Sequence, residues 1–235
     1  LSAWDQLVGV GTALGKGVIS VGADLYYGVG RTAEGLGVSG WDRSREIGFE
    51  NEYLVKNLVK MVKGGITARD SPLYKIISTI LEAYFEKFPE EALKKVAQQA
   101  LGAGAYMAGR MVIGKMLAQK IAVEILTRLA ATTAFKQFAA KLGVSAAAGS
   151  TGVGIIITLV MVQGVGQHAS HASKRLRQHS PALWQDLRRQ EGLDMLYFLV
   201  EEPMAKHMEL IRLAHQNRPL VEQQIRRMYQ EAHGR

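Results

Sequence analysis

Residues 142–167 carry no Asp, Glu, Lys, Arg or His, and the uncharged run extends from Lys141 to Lys174. Twenty-six residues would reach ~39 Å as a helix, against a bilayer hydrocarbon core of ~30 Å. A stretch that long without charge has to be buried, either inside a protein core or in lipid. Its strongly apolar part is short: Ile155, Ile156, Ile157, Leu159, Val160, Met161 and Val162, interrupted by Thr158. Six glycines and several Ser, Thr and Gln residues dilute the remainder. That places the segment at the border between a membrane helix and a closely packed core helix. The seven apolar side chains are its expected membrane-inserting residues.

Glycine is in excess over the whole chain, 25 of 235 residues against a usual ~7%. Proline stays at five, so the bias is not that of a loop-rich protein. Instead the small residues recur four apart within apolar segments. Gly9, Ala13 and Gly17 form one such row, Gly11 and Gly15 a second, and Gly114, Ala118 and Ala122 a third, while Gly149, Gly152 and Gly154 cluster ahead of the isoleucines. On a helix each row lies along one face and lets another backbone approach closely. Because an interior glycine costs ~1 kcal/mol relative to alanine, such helices need partners.

The formal charge of +8 is unevenly placed. Residues 1–95 are neutral, 168–235 carry +3, and 96–167 carry six cations (Arg110, Lys115, Lys120, Arg128, Lys136, Lys141) against Glu124 alone. Positive charge concentrated in the most apolar third suits an anionic membrane surface. Nucleic acid, which selects a polar basic face with stacking aromatics, is not expected as a partner. No cysteine is present, which removes disulfides, thiol nucleophiles and cysteine-ligated metals. Residues 1–24 lack the basic n-region and clean apolar core of a signal peptide, so export by a signal-independent route is expected. A first residue other than Met points to trimming at the N-terminus.

The periodicity is helical throughout, and the expected fold class is all-α: one helical domain, a bundle with a central glycine-rich apolar hairpin wrapped by amphipathic helices. The glycine-rich segment spans 1–45, with a loop over 31–45. Amphipathic helices fill 46–95, the first of them aligning Ile47, Leu54, Leu58, Met61 and Val62 and stopping at Gly64-Gly65. Ser71-Pro72 opens a helix running to about residue 88, and Pro89-Glu90-Glu91 opens the next, with acids at the positive end of its dipole. Residues 96–167 make the candidate hairpin, 96–129 being its amphipathic arm and 142–167 its apolar arm. In the first arm Arg110, Lys120, Glu124 and Arg128 fall within ~80° of one another on a helical wheel. The three cations are therefore expected to line a pore or meet lipid headgroups. Ser180-Pro181, Gly192, Pro203 and Pro219 divide 168–235 into four short segments.

Residues 9–17 (GVGTALGKG) imitate a phosphate loop, yet Gly17 stands where Ser or Thr would reach magnesium and Val10 where the first glycine belongs. His168 and His171 share a helical face without carboxylates nearby in sequence, so they read as exposed or interfacial histidines beside a basic stretch rather than a metal site, with pH sensing as the alternative role. No nucleophile elbow or H-E-x-x-H helix occurs. The expectation is a non-enzyme without catalytic, cofactor or metal residues. Two readings follow from the residues: a protein that changes from a water-soluble to an inserted state, or a soluble helical interaction or adaptor protein with a buried glycine-rich core.

The glycine rows, the central apolar stretch and its basic flanks resemble the pore-forming effectors of bacterial type VI secretion. They are also similar in pattern to the channel-forming domain of colicins. The resemblance implies an antibacterial toxin that is soluble before delivery, then inserts into a competitor's cytoplasmic membrane and dissipates its ion gradients. It further implies target lipids, a cognate immunity protein and a secretion-apparatus carrier as partners, with homo-oligomers in the membrane.

Overall fold

The computed structural model describes residues 41–64, 68–102, 104, 108–131, 136, 152–201, 204–221 and 223. The protein is all-α, and no strand occurs among the described residues. The elements are α1 (Trp41–Gly64), α2 (Pro72–Phe85), α3 (Glu90–Leu101), α4 (Arg110–Ala131), α5 (Gly152–His179), α6 (Pro181–Arg189), a 3₁₀ helix (Leu193–Leu199) and α7 (Ala205–Gln216).

The centre of the described fold is α2. Its sequence, PLYKIISTILEAYF, is apolar almost all round, as a helix with neighbours on every side must be. Leu73, Ile76, Ile77, Ile80, Leu81 and Phe85 are fully enclosed, each removal of such a side chain from water being worth roughly 1.5–3 kcal/mol. Its two aliphatic hydroxyls turn back to the helix, Ser78 and Thr79 donating to the Lys75 carbonyl at 3.1 and 2.7 Å. Around it, α4 packs along one side with α3 behind it, while α1, α6, α7 and the 3₁₀ helix close the others. The 3₁₀ helix lies between α5, α1, α6 and α2.

The punctuation follows local chemistry. Pro72 opens α2, with the Lys75 amide donating to the Ser71 carbonyl at 3.0 Å, although the Ser71 hydroxyl caps nothing. Glu90 and Glu91 occupy the first turn of α3, Glu90 pairing with Lys94 at 2.7 Å. One expected boundary needs correction. Helix α1 begins at Trp41 rather than 46, taking in five residues read as loop. The arm 96–129 is made by two helices in succession: Gly102, at φ 87°, ends α3, and α4 starts at Arg110. Gly104, Ala108 and Gly109 therefore belong to a break, not to a packing row. Residues 193–199, after Gly192, wind as a 3₁₀ helix.

Candidate functional site

The apolar stretch belongs to α5, a single helix of 28 residues. Its first sixteen residues, 152–167, are the uncharged part, with Ile155, Ile156, Ile157, Leu159, Val160, Met161 and Val162 on its helical backbone. Their side chains lie outside the described residues, as does 142–151 with Gly149; Gly152 and Gly154 form the first turn of α5. Gly9, Gly11, Gly15 and Gly17 also fall outside. Sixteen helical residues extend ~24 Å, less than the ~30 Å of a hydrocarbon core. Among the described residues no helix is long and apolar enough to cross a membrane.

The second half of α5 is tied into the protein at four points. Val165, Ala169, Ala172 and Leu176 enter the core. Ser170 donates to Glu50 of α1 at 3.4 Å, and Ser173 donates to Asp194 of the 3₁₀ helix at 2.6 Å. The Trp184 indole of α6 donates in turn to the Ser173 hydroxyl at 3.0 Å. Arg175 grips Glu201 with two parallel bonds of 2.7 Å, a geometry that raises the affinity of the guanidinium for its proton. An uncharged helical arm thus continues directly into a polar anchor.

Asp194 is the centre of that anchor and is fully buried. One of its oxygens takes both Ser173 and the Arg188 guanidinium, the latter at 3.1 Å; among the described residues the other accepts no hydrogen bond. Arg188 also stacks 6.0 Å from the ring centres of both Tyr53 and Trp184, and Arg177 covers Trp184 at 4.8 Å. The Ser173 proton goes straight to a carboxylate and its lone pair to an indole, so the hydroxyl is held as a structural link, not activated as a nucleophile. No three of His, Asp and Glu gather as a metal site among the described residues.

On α4 the row Gly114, Ala118 and Ala122 faces inward. Gly114, Ala118 and Ala122 are buried, and a Cβ added at Gly114 would sit 3.5 Å from Phe85 of α2 and 3.9 Å from Leu93 of α3. Those are ordinary contact distances. Gly114→Ala is accordingly expected to leave the fold unchanged or stabilise it by up to about 1 kcal/mol through helix propensity. Gly114→Leu, which must push apart two helices, should cost about 1–3 kcal/mol. Urea unfolding of the two variants checks both signs.

The cations of α4 have local duties in this fold. Arg110 donates to the Glu86 carbonyl at 2.6 Å, just beyond the last residue of α2, and Lys120 donates to the Ala100 carbonyl in the last turn of α3. Each places positive charge at a helix C-terminus, where the dipole favours it. Arg128 lies on α4 with its side chain outside the described residues. What the wheel did not single out is the outer face of the same helix: Met111, Val112 and Met116 are exposed, with Lys115 between them. The chain matches no protein-family profile, no curated protein and no solved structure.

Proposed function

We propose that the chain is a pore-forming antibacterial effector whose inserting element is the uncharged half of α5 together with residues 142–151. The observation that carries this reading is the construction of α5: an uncharged helical arm continuous with a half bolted to α1, α6 and the 3₁₀ helix. Such a helix can enter an apolar phase at one end while the other keeps it attached to a folded body. The shortfall in length is met by the uncharged residues ahead of Gly152, or by local thinning of the bilayer. On this reading a secretion carrier delivers the chain, and an immunity protein protects the producer.

The test is the potential across liposomes containing anionic lipid, followed with a voltage-sensitive dye on adding the purified chain. Collapse of the potential is expected, and Val160→Glu, which puts a charge into the arm, should abolish it while vesicle binding persists. An intact potential between acidic and neutral pH would sink the proposal. It would favour a soluble helical adaptor, a reading supported by the lack of a spanning helix among the described residues. Flotation with lipid vesicles separates the two, since the adaptor stays at the bottom of the gradient.

A further inference from the structure

We propose that the outer face of the first turns of α4, made by Met111, Val112, Lys115 and Met116, is the surface on which the chain docks to anionic lipid. This rests on the membrane-active reading above but concerns a different element from the inserting arm. Of the six large apolar side chains exposed among the described residues, three lie here within six positions, Met111 at 85%, Val112 at 53% and Met116 at 39%. At 100° per residue the four side chains occupy about 140° of arc, so they form one face. Clustered apolar exposure of this kind marks a surface that meets something.

Charge selects the occupant. The face carries Lys115 in its middle, and the single acid of α4, Glu124, is half-buried on another side. Acids on neighbouring helices are matched locally: Glu90 pairs with Lys94 at 2.7 Å, and Glu86 stands 4.0 Å from Lys87. Glu82 faces Lys115; burial lifts its carboxyl above the ordinary range while Lys115 draws it back and Glu86 pushes it further up. Arg110 spends its bond on a carbonyl, which neutralises none of its charge. A methionine as exposed as Met111 stands proud of the helix. Lipid accepts such a projection without a matching pocket, and Lys115 beside it can extend its stem through the apolar layer to an anionic headgroup. A protein partner would need a cavity shaped to receive it.

The absence of cysteine makes a single reporter specific. The full chain with Met111→Cys, carrying an environment-sensitive dye, is mixed with vesicles of phosphatidylglycerol and phosphatidylethanolamine or of phosphatidylcholine alone. The dye should pass into an apolar environment on the anionic vesicles only. The double variant Met111→Glu, Met116→Glu should lose at least about tenfold in partitioning. Phe49→Glu, at an exposed position on α1, should change it by less than about twofold. All of these positions are exposed, and circular dichroism verifies that the helices remain. Equal partitioning of the double variant, or a dye that stays in water while the chain binds, overturns the proposal. So does dye burial without lipid as protein concentration rises, which would assign the face to a second copy of the chain. Docking through this face with an undiminished membrane potential would instead remove the pore-forming reading and leave the docking surface standing. Failure to partition on any vesicle overturns both.

Discussion

Replacing Arg188 by Ala is expected to destabilise the fold by about 3 kcal/mol, more than the loss of an ordinary surface ion pair, because of what it leaves behind. Asp194 has no exposure, and Arg188 is the cation that compensates it. Without the guanidinium the carboxylate keeps only the Ser173 hydroxyl. The reverse change is milder: Asp194→Ala leaves an arginine whose side chain is already 32% exposed and can turn toward water. Solvent access at that end keeps the estimate at the low side of the usual 3–5 kcal/mol for a broken buried pair. Loss of stacking on Tyr53 and Trp184 adds to it, by roughly 0.5–1 kcal/mol. Urea unfolding of Arg188→Ala, Asp194→Ala and the double variant measures the asymmetry. A double variant less destabilised than Arg188→Ala alone is the signature of a stranded charge, and strict additivity would show that the pair contributes nothing through its contact.

The Asp194 change has a functional reading. Asp194 holds Ser173, and Ser173 is one of the points at which α5 is fastened. If release of α5 from that fastening limits insertion, Asp194→Ala should permeabilise anionic vesicles faster than the unaltered chain despite being less stable. A slower rate would place the limiting step elsewhere, in docking or in assembly.

Much of the helical punctuation was legible because it is local. Pro72 and Pro181 lack an amide proton, Glu90 and Glu91 answer a dipole one turn away, and glycine at 64 marks the end of α1; each acts within a few residues of itself. The stop at Gly102 was not legible, because a glycine inside an apolar helical pattern serves either close packing or a break, and only its backbone angle, φ 87°, decides between them. The polar anchor was not legible. Ser173, Trp184, Arg188 and Asp194 are unremarkable singly, and their meeting depends on how α5, α6 and the 3₁₀ helix fold back on one another. The same holds for Arg110 and Lys120. Their angular proximity on a wheel was real, but each answers a carbonyl on a different helix, which no pattern within α4 encodes. The face of Met111, Val112 and Met116 escaped because the whole arm reads as apolar, so exposure on one side appears only once α2 and α3 cover the other.

Gly192→Ala should cost about 2–4 kcal/mol, most of it from contact rather than backbone strain. Gly192 sits at φ 70°, ψ 33°, in the left-handed region, where a Cβ adds roughly 1–2 kcal/mol. The larger obstacle is Tyr53, whose ring carbon would lie 2.6 Å from that Cβ and whose own Cβ would lie 2.8 Å away. A tyrosine Cβ is fixed to its helix, so relief requires α1 to move away from the turn between α6 and the 3₁₀ helix. That turn is where α1 is fastened: Asn57 donates to the Glu191 carbonyl at 3.0 Å, and Lys60 pairs with the Glu191 carboxylate. Tyr53→Ala separates the two contributions. It removes the ring but leaves the glycine's backbone angles, so in the combined variant only the left-handed strain and the residual Cβ contact should remain. The double variant is expected to be less destabilised than the sum of the singles, by about 1–2 kcal/mol in chemical denaturation. Additive costs would mean that α1 yields freely at Gly192, and that the seam between α1 and the 3₁₀ helix is held by its polar ties and not by the closeness of Tyr53 to the turn.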